Sequence, residues 1–209
     1  GNRHTIPPLG GSNNNPIYTS FSDGEIDAFG RLRVSNPYTL FDSQQRYASD
    51  TAFDYATANG GTAVYQTNRA ATLLSVTTTN GSSASAQTYR SFPYQPGKSL
   101  LILATFSMSA GQTGTTQRVG YFNSQNGIFF EQSGTTLNMV IRTYTSGGVV
   151  ETRVAQSSWN GDQLNGTGPS GITLDVTKTQ IFYTDLEWLG VGAVRVGFVL
   201  NGTYINCHT

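Results

Sequence analysis

The chain has 209 residues, zero formal net charge and an 11% charged fraction, well below the roughly 25% usual in globular chains. No basic run is present to bind nucleic-acid phosphates, and no apolar run nears the ~18 residues a membrane-spanning helix needs. One cysteine excludes an internal disulfide and a zinc site of several thiolates. With 24 Gly, 11 Tyr and 11 Phe among many Ser, Thr and Asn, strands and tight turns are favoured over helices.

Residues 1–29 read as an extended arm. Pro7-Pro8, Gly10-Gly11, Asn13 to Asn15 and Pro16 are too closely spaced for a regular element. Ile6, Leu9, Ile17, Tyr18 and Phe21 are too few to bury a core. Such an arm is ordered by lying on its own domain or on a neighbour.

Residues 30–209 read as a β-sandwich. A short strand over 29–36 ends at Pro37, and partial alternation predicts a second over 38–47. Further strands are predicted over 52–56, 62–66, 70–78 and 87–92, punctuated by Asn59-Gly60-Gly61, by Asn80-Gly81 and by Pro93. The near-continuous apolar run SLLILATFSMS over 99–109 predicts a central strand buried on both faces.

A four-stranded meander follows over 118–123, 128–132, 136–145 and 149–156, joined by short Gly-bearing turns. Residues 157–171, SSWNGDQLNGTGPSG, form a loop with one helical turn around Asp162 to Leu164. A loop this long in a compact β domain is often functional or forms an interface.

The clearest pattern closes the chain. Val194, Val196, Phe198 and Leu200 alternate with Arg195, Gly197, Val199 and Asn201, which puts the first set on one face of a strand. Asn201-Gly202 then predicts a type I′ hairpin into 203–207, since both central residues of that turn need positive φ. With the run from Ile181 to Leu189, this makes a three-stranded antiparallel block, and the rest of the chain must supply the sheet facing it. The count is about a dozen strands. The fold class is all-β, an antiparallel two-sheet jelly-roll sandwich with an extended N-terminal arm.

Residues 27–44 (DAFGRLRVSNPYTLFDSQ) and 187–208 (EWLGVGAVRVGFVLNGTYINCH), with SSWNGDQLNGTG between them, resemble virion proteins of tailed phages and large DNA viruses. In those proteins a β-sandwich is attached to a capsid or tail. The meander with its GFVLNGTYI hairpin is also similar to the concanavalin or laminin-G type of jelly roll, a likeness of fold that transfers no function. The virion resemblance implies a location in the virus particle. The partners it implies are other virion proteins and copies of the same chain.

Candidate chemistry is sparse. Glu25 and Asp27, and Asp185 and Glu187, have the alternate-residue spacing of jelly-roll glucanase carboxylates but lack the third acid. They read as solvated or salt-bridged edge groups. Glu131 and Glu151 lie on separate meander strands and are placed to face each other. His4 and His208 are the only histidines, and no Gly-x-Ser-x-Gly elbow is present, which argues against a nucleophilic triad. Cys207 reads as a small buried apolar residue.

No catalytic residue, cofactor site or metal site is assigned. Asp162 and Asn165 offer oxygens that suit calcium, but one acid is too few. Trp159 and Trp188 suit either packing or a sugar-stacking groove. Trp159, Asn160, Asp162, Asn165 and Trp188 are therefore the candidate ligand or interface residues. The function expected is a non-enzymatic viral structural protein, with a glycan-binding module of a tail fibre or a glycoside hydrolase as the alternatives.

Overall fold

A computed structural model describes residues 38–188 and 192–209, with the side chain of Trp188 excepted. The expected arm over 1–29, the strand over 29–36, Glu25 and Asp27, and the Gly190-Val191 connection lie outside the described residues. The chain divides into two units, Gly1–Thr39 and Leu40–Thr209; the second carries the sheets.

The chain is all-β and its strands pair antiparallel. Strands β1 (Phe53–Ala58), β2 (Thr62–Gln66), β3 (Ala71–Ser75) and β4 (Ser83–Thr88) come first, followed by β5 (Leu100–Phe106). The meander is β6 (Thr116–Phe122), β7 (Gly127–Ser133), β8 (Thr136–Thr143) and β9 (Val150–Ala155). Strands β10 (Gln180–Trp188), β11 (Gly192–Leu200) and β12 (Thr203–His208) end the chain.

Two four-stranded sheets form the sandwich, ordered β12-β11-β10-β5 and β6-β7-β8-β9. The predicted three-stranded block is thus real, and the meander is the sheet that faces it. The β11–β12 turn is built as its residues require: Asn201 has φ 51° and Gly202 φ 76°, the positive values of a type I′ turn.

Alternation then sets the core. Val196, Phe198 and Cys207 from one sheet and Ile128, Phe130 and Met139 from the other are buried in a single cluster with Phe182. Phe130 meets Phe198 edge to face at 5.2 Å and Phe182 at 6.0 Å. Burying a side chain of this size contributes about 2–3 kcal/mol, so these rings are the main tie between the layers.

Two small ribbons form sheets of their own, β1 paired with β4 and β2 with β3, and Gln87 Nε2 on β4 donates to Phe122 O on β6 at 3.3 Å. They are nested hairpins: the inner β2–β3 pair lies between β1 and β4 in the chain. Tyr55 on β1 touches Thr72 on β3 through their hydroxyls at 3.2 Å.

Four local expectations are corrected. Residues 38–47 form no strand: Gln45 takes φ 45°, which breaks an extended run, and Phe41 instead plugs against Phe53 and Phe92. The strand expected over 87–92 lies at Ser83–Thr88, because Thr88 Oγ1 donates to Arg90 O and turns the chain there. Strand β5 is an edge strand, so Leu103 on one face is 51% exposed rather than buried. The turn expected at Asp162 to Leu164 is instead a 3-10 turn at Gln156–Ser158.

Candidate interaction site

Three regions carry the residues that chemistry or recognition would use. The first is the 157–171 loop. Trp159, just after the 3-10 turn, is buried in the core cluster, and its Nε1 donates to Val154 O at 3.1 Å. Its ring is therefore packing and offers no face to a sugar.

Asn160 clasps the C-terminal strand. Its backbone N–H donates to His208 Nδ1 at 3.2 Å, its Nδ2 donates to Thr209 O at 2.8 Å, and its Oδ1 accepts from Thr209 N at 2.9 Å. Gly161 N and Asp162 N donate to Cys207 O and Asn206 O, both at 2.9 Å, so the loop is fastened to the backbone of β12.

Asp162 is buried, and both carboxylate oxygens are used inside the loop: Oδ1 accepts from Leu164 N at 2.8 Å and Oδ2 from Ser170 N at 2.7 Å. Burial works to raise its pKa, but these hydrogen bonds prevail and hold it below the usual aspartate value. Asn165 Oδ1 accepts from Thr167 N and Oγ1 at 2.9 and 2.7 Å, and Asn165 bridges to Thr173. The loop thus brings Trp159, Asn160, Asp162 and Asn165 together as a self-satisfied clasp. The oxygens that suited calcium already accept N–H and O–H groups. Trp188 ends β10 opposite Gly192; its side chain lies outside the described residues.

The second region is the face of the meander turned away from the core. Glu131 and Glu151 do share it, but three arginines stand among them. Arg118 Nε and Arg153 Nε lie 2.8 Å from the two oxygens of Glu131. Arg142 holds Glu151 Oε1 at 2.8 Å through Nε and at 2.6 Å through Nη2, and Arg153 Nη2 also pairs with Glu151. The guanidiniums of Arg118 and Arg142 cover the ring of Phe129 at 5.4 and 5.1 Å, which desolvates the network from below.

Burial alone would raise the pKa of Glu131, but the hydrogen bonds from Arg153 and Arg118 outweigh it and hold the carboxyl below its ordinary value. Glu151 is held down in the same way, mainly by Arg142 and then Arg153 against its own desolvation. Both side chains are ionised at neutral pH. A glycosidase acid needs the opposite shift, upward, so that it carries a proton to give.

Asp185 also departs from the edge position expected of it. Strand β10 is interior, Asp185 is buried, and its register neighbours are Arg195 on β11 and Leu101 on β5.

The third region is the ribbon pair β1–β4, and sequence reasoning missed its character. From Tyr55 to Tyr89 the only charged residue is Arg69. Val64, Leu73, Leu74, Val76 and Tyr89 are all more than 40% exposed there. Low local charge was the available signal, but it was diluted by the low charge of the whole chain. Comparison with protein-family models, with curated proteins and with solved structures finds no match.

Proposed function

We propose that this chain is a non-enzymatic structural protein of a virion, a capsid- or tail-associated component that docks on neighbouring subunits. The single observation that carries the reading is the nearly uncharged ribbon module with its half-exposed aliphatic side chains. Clustered exposed apolar groups mark interaction surfaces. The arginine-held state of Glu131 and Glu151 supports a scaffold over a hydrolase. The particle setting rests on the resemblance of residues 27–44 and 187–208. The docking elements are the arm and the ribbons; the 157–171 loop is folded against its own β12.

The test is incorporation. A chain lacking residues 1–25, or carrying Leu73→Lys in the ribbon, is expected to keep its β circular-dichroism spectrum and to be missing from purified particles. Normal incorporation of both variants would overturn the reading. A second reading, glycan recognition, is favoured by Tyr47 and Tyr89, which are 86% and 68% exposed and present ring faces for stacking. A glycan array probed with the wild-type chain decides it.

A further inference from the structure

Six asparagines precede glycine in this chain, at Asn59, Asn80, Asn126, Asn160, Asn165 and Asn201. An Asn-Gly pair carries its own reaction. The glycine amide nitrogen, once deprotonated, attacks the asparagine Cγ, because glycine has no side chain to crowd the approach. Asparagine counts among the thermally labile residues. The attack needs a free side-chain amide, a free glycine N–H, and a peptide plane between them that can turn. The fold treats the six pairs differently.

Four pairs are guarded. Asn160 Nδ2 donates to Thr209 O at 2.8 Å, its Oδ1 accepts from Thr209 N at 2.9 Å, and Gly161 N is held by Cys207 O. Asn165 Oδ1 accepts from Thr167 N, its Nδ2 donates to Gln163 Oε1 at 3.0 Å, and Gly166 N donates to Ile172 O at 3.0 Å. Asn126 Oδ1 accepts from Tyr144 N at 3.1 Å, and Gly127 lies inside β7 with register partners on both sides. Asn59 Nδ2 donates to Gly81 O at 3.1 Å. Such a bond must be given up before reaction, and at about 1 kcal/mol each one slows the step about fivefold. Asn80 and Asn201 differ. Both are exposed. Among the described residues neither side-chain amide, nor Gly81 N, nor Gly202 N, has a hydrogen-bond partner. In both pairs the Asn–Gly peptide is the central one of a turn. The turns are closed outside it, by Ser82 N donating to Thr79 O at 3.0 Å and by the pairing of Leu200 with Thr203. The central plane therefore rotates without opening the turn.

We propose that Asn80 and Asn201 are sites of spontaneous modification, where the chain converts its own neutral amides to carboxylates. At Asn80 a bond forms between Gly81 N and Asn80 Cγ, and the Cγ–Nδ2 bond breaks. The departing amide nitrogen takes up the proton lost by Gly81 N and leaves as ammonia. Water then opens the cyclic imide at either carbonyl, giving aspartate or isoaspartate. Asn201 reacts with Gly202 N in the same way. The consequences differ between the two places. At Asn80 the product puts a negative charge on a ribbon module whose only charged residue is Arg69. At Asn201 the isoaspartyl product lengthens the backbone of a two-residue turn, which disturbs the strand register that such a turn sets. The inference does not depend on what the ribbons dock against.

Incubation of the folded chain in mildly alkaline buffer, followed by peptide-resolved mass spectrometry and isoaspartyl methyltransferase labelling, tests it. Asn80 and Asn201 are expected to convert at least about fivefold faster than any of the other four, the difference that one guarding bond makes. Both rates are expected to rise with pH, since the nucleophile is the deprotonated amide. In urea the guarding bonds are gone, and the six rates are expected to converge. Asn80→Gln is expected to abolish conversion at its site, because glutamine must close a less favourable six-membered ring, and to leave the rate at Asn201 unchanged. A guarded asparagine that converts as fast as Asn80 and Asn201, an intact amide at either open site, or the same ranking in urea as in buffer would each overturn the proposal.

Discussion

Arg153 on β9 reaches over the whole width of β8 to Glu131 on β7, its Nε 2.8 Å from Glu131 Oε1. The pair skips the strand between them, so it ties three strands at once, and Arg118 closes the other side of the same carboxylate. Removing one partner of a buried ion pair costs about 3–5 kcal/mol when the charge left behind stays dry. Here the side chains left behind, Arg118 and Arg153, are 33% and 40% exposed and turn to water. Glu131→Gln is therefore expected to lose about 2–3 kcal/mol in urea unfolding. A loss under about 0.5 kcal/mol, the size of an ordinary surface effect, would show that the network contributes nothing to stability.

The same carboxylates set the acid limit. Glu131 and Glu151 have folded pKa values below the ordinary 4.5, so the unfolded chain binds protons more readily than the folded one. Their contribution is complete above about pH 4.5 and is lost as pH falls through the lowered folded values. Asp162, held down by its loop hydrogen bonds, adds to the loss in the same direction. Thermal midpoints measured from pH 7 to pH 3 should be flat near neutrality and fall steeply below about 4.5. The gap between wild type and Glu131→Gln should narrow over that fall. A gap that stays constant down to pH 3 would contradict the assignment.

Much of this was legible where one signal was strong and local. Asn201-Gly202 fixed a turn, and alternation from Val194 to Leu200 fixed the face that packs on the meander. Where the signal was mixed, reading failed for identifiable reasons. Strand β4 spells Ser-Ala-Ser-Ala-Gln-Thr, an alternation of small side chains with almost no hydrophobic contrast. The run containing β5 is apolar throughout, and nothing in it records that β5 lies at a sheet edge with Leu103 facing out. The arginines around Glu131 were recoverable in principle, because Arg118 pairs with Glu131 and Arg142 with Glu151 directly in register. The reach of Arg153 over β8 was not, since it depends on side-chain length and not on pairing.

Trp159 shows how a loop residue becomes core. Its indole is 3% exposed and donates to Val154 O. Trp159→Ala is expected to cost about 3–5 kcal/mol. Trp159→Phe keeps most of the volume and removes the indole donor from the half-buried Val154 O, for about 1 kcal/mol. Chemical denaturation of both variants checks the order. A ligand-stacking role would produce the reverse pattern, with stability unchanged.

Gly197 within β11 and Gly202 in the β11–β12 turn separate strain from space. A Cβ on Gly197 would lie 2.0 Å from Ile205 O and 3.0 Å from Tyr183 Cε1. The first obstacle is backbone, held by the β11–β12 ladder next to the register shift at Val196/Gly197, so it cannot swing aside as a long side chain would. Gly202, at φ 76°, has nothing within 4 Å of its virtual Cβ. Gly202→Ala therefore meets only left-handed backbone strain, about 1–2 kcal/mol. Gly197→Ala must prise β12 off β11 and is expected to cost more than about 3 kcal/mol. Hydrogen exchange distinguishes the two. Gly197→Ala should speed exchange at the β12 amides that face β11, while Gly202→Ala should affect only the turn. Equal effects from the two substitutions would mean that β12 is loosely held and that the clasp of Asn160 on Thr209, rather than the ladder, keeps the C-terminal strand in place.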